Sequence, residues 1–318
     1  MAQAGRRSRE GPGRLAPSPR DSRGASPARA GLSRPLALLP HPDFPPGRPG
    51  IVVELPQPFD WELSTERFRA FGPDLANLWH EGALHRVFDG VEVRIEAAEE
   101  GVRIEPGEPA LGEPVRRYLG GPFDLDGFAA FAATEPVLAG LVKGLRGLRP
   151  PLAPDPFEAL VTSITAQQVS LRAAFAIRNR LIRAFGEPFG RAYAFPKRER
   201  IALAEPAELV AVGFSRRKAV YTVGLARSDI DLGALASLPD EEVKARLVAL
   251  PGIGEWTADW FLARHLARPN AWPAGDLGLR KAVLHFYGVS DPRALKGQFS
   301  RFANLAAHYL LVGLRVRA

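Results

Sequence analysis

Within the stretch from Ile51 to Glu105 short strand-like runs stand out. Ile51-Val52-Val53-Glu54-Leu55 reads as a short strand, and Val91-Glu92-Val93-Arg94-Ile95-Glu96 and Val102-Arg103-Ile104-Glu105 follow a period of two, as expected of strands with one buried face. The Glu-Glu-Gly turn at 99–101 joins the last two into an antiparallel hairpin. A capped helix is predicted from Ser64 through Phe71, which makes 51–118 a small antiparallel α/β subdomain. Beyond Pro122 the strand signal disappears. Asp155-Pro156-Phe157-Glu158 reads as a capping box with proline at the first helical position. Further helix starts lie at Leu171, Pro206, Ser215 and Pro239, after Gly254 and after Asp276, and a last helix covers 303–314. About ten helices with short loops predict an all-α body over 119–318. The fold class is therefore α+β, without a repeat of fixed period.

Composition narrows the chemistry. The chain has 318 residues and no cysteine, which excludes disulfides, thiol catalysis and cysteine-held metal clusters. No apolar run approaches the ~18 residues a membrane helix needs. The net charge of +7 is concentrated: residues 1–50 hold nine arginines and three acids, six of the seven net charges, with ten prolines and seven glycines. That stretch is predicted to be a disordered tail, adding at most non-specific attraction to polyanions. The remainder is almost neutral, so binding of nucleic acid by the body must rest on local motifs. The six histidines show no metal spacing, and no metal or cofactor is expected.

One such motif is Leu250-Pro251-Gly252-Ile253-Gly254-Glu255-Trp256-Thr257-Ala258, between two predicted helices. Two glycines around one apolar residue allow a tight reversal that leaves amides unpaired at a helix N-terminus, a site suited to a phosphodiester. Ile253 would plug the gap between the helices. Twenty-two residues after Gly254 stands Asp276, in Pro273-Ala274-Gly275-Asp276-Leu277-Gly278-Leu279-Arg280-Lys281. Its position predicts an N-cap, where the helix dipole favours a negative charge. A fixed carboxylate also suits stabilisation of a cationic sugar. Gly278 in the first helical turn costs about 1 kcal/mol relative to alanine, which points to a close approach there. Arg280 and Lys281 are candidates for phosphate contacts or a solvated basic pair.

The two motifs together resemble the helix-hairpin-helix, Gly/Pro…Asp signature of DNA glycosylases, and within them the DNA-3-methyladenine glycosylase II (AlkA-like) branch. Ile164-Thr165-Ala166-Gln167-Gln168-Val169-Ser170, Gly213-Phe214-Ser215-Arg216-Arg217-Lys218-Ala219 and Phe123-Asp124-Leu125-Asp126 support the resemblance, which is strong over about 120–290. It implies a monofunctional enzyme of base excision repair that flips an alkylated purine from double-stranded DNA and hydrolyses its N-glycosidic bond. Asp276 would be catalytic, Trp256, Trp260 and Trp272 would lie at the pocket, and Gly252, Ile253 and Gly254 would hold the DNA backbone. Gln167 and Gln168 are candidates to fill the gap left by the flipped base. Family members that also cut the strand carry a lysine where this chain has Trp256, and no lyase step is expected. The aromatic-Pro-aromatic-Arg stretch of the branch is replaced by Gln298-Phe299-Ser300-Arg301-Phe302. A cytoplasmic, bacterial-type monomer without membrane association or an obligate protein partner is expected. The same fold acting on oxidised or deaminated bases, or a non-catalytic damage-binding protein, are the alternatives.

Overall fold

The computed structural model describes residues 49–317; the predicted tail lies almost wholly outside them. Five antiparallel strands, β1 (Ile51–Glu54), β2 (Leu78–His80), β3 (Ala83–Phe88), β4 (Val91–Ala98) and β5 (Gly101–Glu105), form a sheet in the order β1-β5-β4-β3-β2. Ile51, Ile104, Ile95 and Leu84 stand opposite one another across four strands. Leu84, Ile95 and Ile104 pack on Trp61, Phe68 and Tyr118. The expected helix over 64–71 is instead two short ones, Trp61–Thr65 and Arg67–Ala70. Asp60, rather than Ser64, caps the first of them by accepting from the Leu63 amide. A second, two-stranded pairing of Pro188–Phe189 with Ala192–Tyr193 interrupts the helical region, where none is expected.

The helices that build the site are α1 (Pro156–Ala166), α2 (Leu171–Phe185), α3 (Arg216–Arg227), α4 (Asp240–Val248), α5 (Glu255–Arg264), α6 (Leu277–Tyr287) and α7 (Ala303–Arg317). They divide between two cores. Ile164, Leu181, Leu247, Ile253 and Trp260 belong to one; Leu279, Val283, Phe302 and Leu310 belong to the other. Among the described residues no helix is long and apolar enough to cross a membrane.

The capping box at the start of α1 is only half formed. Asp155 accepts from the Glu158 amide at 2.7 Å, but the Glu158 carboxylate is drawn elsewhere. It pairs with Arg86 of β3 at 2.5 Å and Arg178 of α2 at 2.6 Å, and Arg178 also holds Asp74 at 3.1 Å. Asn77 accepts from Arg86 and from the Tyr118 hydroxyl. These two arginines outweigh desolvation and hold the Glu158 carboxyl down at about 2. This buried network fastens the sheet to the helical body.

Candidate active site

The hairpin joins α4 to α5. Gly252 has φ +85°, and a Cβ there would lie 2.2 Å from the Tyr221 ring of α3, so only glycine fits. Ile253 is buried in the first core, as expected. The Gly252 and Gly254 amides donate to nothing among the described residues, and a Cβ on Gly254 would meet open space. The outer rim of the turn therefore presents free N–H groups next to the N-terminus of α5, the geometry that receives an anion.

Asp276 is the N-cap of α6, with its Oδ1 accepting from the Leu279 amide at 2.9 Å. Its Oδ2 does something a cap does not require. It accepts from the indole N–H of Trp256 at 2.9 Å and from that of Trp260 at 3.1 Å. Trp256 and Trp260 stand one turn apart on α5, so a single face of that helix delivers both donors. The carboxylate is thus fixed by three N–H groups at the seam of the two cores. Gly278 makes room for it: a Cβ there would stand 3.0 Å from both Asp276 Oδ1 and Leu311 Cδ2. Asp259, the other carboxylate of α5, is engaged with Lys244 at 3.0 Å, and its burial raises its pKa.

The remaining predicted residues separate. Trp272 is 3% exposed. Its N–H donates to the Pro292 carbonyl at 2.9 Å and its ring lies 5.1 Å from that of Phe299. The expectation that it lines the pocket is therefore corrected: Phe299, from the stretch that departs from the branch pattern, draws it into the second core. Gln167 turns inward, donating to the Gly252 carbonyl at 2.9 Å and to Thr257 Oγ1 at 3.2 Å. It is a clip between α1 and the hairpin, and this tether leaves it no reach into a DNA gap. Gln168 is exposed in the left-handed region at φ +54°, presented outward beside exposed Val169 and Leu171. Lys218 Nζ donates to the Thr165 and Gln167 carbonyls at 2.9 and 2.6 Å, closing the end of α1. Arg280 and Lys281 are exposed on α6 and form no ion pair among the described residues. Those residues also contain no cluster of histidine and acidic groups able to hold a metal.

A model of the HhH-GPD superfamily of base excision DNA repair proteins matches residues 161–303, the segment containing the hairpin and Asp276. Over that segment the chain is similar to this superfamily. The relatives it matches carry the names of DNA-3-methyladenine glycosylases. It is 32% identical to the DNA-3-methyladenine glycosylase of Bacillus subtilis, over 56% of this chain and 63% of that protein. It is 33% identical to DNA-3-methyladenine glycosylase 2 of Escherichia coli, over 42% of this chain and 47% of that one. The matched regions thus span less than two thirds of these relatives. The structure of a 3-methyladenine DNA-glycosylase from Archaeoglobus fulgidus superposes with a TM-score of 0.75 at 29% identity, covering 83% of this chain and 98% of that one. The five-stranded sheet and the helices are therefore the α+β architecture of this superfamily.

Two site residues lie outside the candidates read from the sequence. Arg264 stands one turn beyond Trp260 on α5, its guanidinium 3.7 Å over the Trp260 ring. His308 of α7 sets its ring edge-on to the same indole at 5.7 Å. Burial, with the nearby Arg264 cation, pulls the His308 pKa down to about 3.

Proposed function

We propose that the chain is a monofunctional DNA glycosylase that releases alkylated purines from double-stranded DNA. The observation that carries this reading is the Asp276 carboxylate, pinned by two indole N–H groups and a helix amide within reach of the hairpin. A group needed only as a cap would not require the two indoles.

The hairpin amides hold a phosphate while the damaged nucleotide swings out of the stack, because the bond to be cut is inaccessible in a base pair. The C1′–N9 bond breaks with its electron pair leaving on the purine. The sugar acquires oxocarbenium character, which the Asp276 carboxylate stabilises from a fixed position. Water adds to C1′, and its proton leaves through the carboxylate, giving an abasic site and a free base. A cationic alkylpurine departs readily and needs little acid help. With Trp256 where strand-cutting relatives place a lysine, no amine attacks the sugar. Gln168, exposed at the end of α1, is the residue placed to enter the gap, and Arg280 and Lys281 flank the phosphate path.

The domain division follows the same reading: a tail over 1–50, a sheet subdomain over 51–118 and the glycosylase body over 119–318. The chain acts as a monomer in a bacterial-type cytoplasm. The test is incubation with methylated duplex DNA and identification of released bases by mass. Free 7-methylguanine and 3-methyladenine, without strand breaks before alkali treatment, are expected. Absence of any released base would reject catalysis and leave a binding protein.

A further inference from the structure

A cavity of about 80 Å³ lies where the sheet subdomain meets the helical body, and Trp260 forms part of its wall. Four arginines line it: Arg67, Arg86, Arg178 and Arg264. Arg86 and Arg178 are neutralised by Glu158 and Asp74. Arg67 and Arg264 form no ion pair and no side-chain hydrogen bond among the described residues, and Arg264 Nε is buried without a partner. Desolvation lowers the pKa of both. An unpaired cation in such a place is costly to keep, and a wall of unused N–H donors is what an acceptor-bearing ligand would satisfy.

One indole links this wall to the reaction centre. The N–H edge of Trp260 holds Asp276 and its ring face carries Arg264. A purine is about as long as an indole. A base whose C1′ stands beside Asp276 and whose long axis runs along this indole would bring its six-membered ring level with the arginines. Moreover, the π-face that would attract a cationic base is already occupied by the Arg264 cation.

Resting on the glycosylase reading, we propose that Arg67 and Arg264 are specificity-determining residues that select purines with a carbonyl oxygen at C6 over 3-methyladenine. The guanidinium N–H groups donate to that oxygen in hypoxanthine or 7-methylguanine. The 6-amino group of 3-methyladenine turns donors toward donors, whereas the positive charge, which 7-methylguanine shares, does not separate these two bases. Discrimination of this kind is large because the rejected base leaves buried donors unpaired.

The test compares full-length wild type with Arg264→Met and Arg67→Met under single turnover. The substrates are duplexes carrying hypoxanthine or 7-methylguanine and DNA methylated to contain 3-methyladenine, with thermal melts confirming the fold. Wild type is expected to release the 6-oxopurines faster relative to 3-methyladenine, and each variant to lower that ratio at least tenfold. A ratio within twofold of wild type in both variants, including a parallel fall of all rates, overturns the proposal. A wild-type chain that releases none of the three bases overturns the glycosylase reading itself.

Discussion

Replacing Asp276 with asparagine tests charge and geometry together, and the structure separates the two. The charge acts on the sugar cation. At ~4 Å and an effective dielectric of ~20 it is worth about 4 kcal/mol, or roughly a thousandfold in rate. The geometry is less forgiving than an isosteric change suggests. Asp276 receives N–H groups on both oxygens, one from Leu279 and two from the indoles, whereas asparagine offers one oxygen and one N–H₂. In either amide orientation a donor faces a donor. Keeping the cap sacrifices two hydrogen bonds to a charged acceptor, each worth about 1.5–3 kcal/mol. A destabilisation of about 3 kcal/mol is expected, a fall in Tm of roughly 6–12 °C for a chain of this size.

The two effects part in a double-mutant cycle. In a Trp256→Phe, Trp260→Phe background the indole donors are gone, so Asp276→Asn should lower Tm by only a few degrees while the thousandfold loss of excision remains. Single-turnover release from methylated DNA and calorimetric melting read the two arms. Release by Asp276→Asn at the wild-type rate would mean that the carboxylate is only a cap. An unchanged Tm penalty in the double-Phe background would refute the donor conflict.

Gly252→Ala places a Cβ 2.2 Å from the Tyr221 ring at φ +85°, so a loss of at least 2 kcal/mol is expected from strain and overlap. Chemical denaturation measures it, and a variant as stable as wild type would contradict the turn geometry. Gly278→Ala should gain up to ~1 kcal/mol in helix propensity, yet slow excision about tenfold by crowding Asp276 Oδ1 and Leu311. A faster variant would refute that crowding. His308 takes up a proton only near pH 3 when folded but near 6.5 when unfolded, so stability should already fall between pH 7 and 5, and His308→Leu should flatten that decline. Glu158 acts at lower pH: its carboxyl is near 2 when folded against an ordinary value of 4.5. Its contribution is full above about 4.5 and is lost as pH falls toward 2, and a Glu158→Gln melt series should lack that step.

The parts of the site read from the sequence are those written in a few neighbouring residues. The hairpin glycines and the Asp276 cap are local geometry, and local geometry leaves a local signature. β2 and β3 do not announce themselves because the alternation fails there. Ala83, Leu84, His85, Arg86 and Phe88 are all buried, so the strand shows no polar face. Its two charged-type residues are accommodated by Glu92, seven residues away, and by Glu158, seventy-two away. Trp272 and Gln167 mislead for the same reason. Their residue types suit a pocket and a wedge, but Phe299 and the Gly252 carbonyl, each distant in sequence, claim them.

Arg264 is a different case, since its signal is present in the spacing. The interval of four that puts Trp256 and Trp260 on one face of α5 puts Arg264 on that face too. An aromatic-only reading of the stripe ends one residue early, because it treats a cation as surface. The third member changes what the stripe means. Two indoles alone describe a wall that welcomes electron-poor purines. With Arg264 over the second indole, and no carboxylate among the described residues paired to that arginine, the same wall offers hydrogen-bond donors and repels positive charge. Asp276 then stands between two demands, since its negative charge stabilises the sugar cation while the arginines beyond Trp260 disfavour a cationic base. A neutral purine that presents a carbonyl to the arginines meets both demands at once, whereas a cationic one with a carbonyl meets them only through its hydrogen bonds.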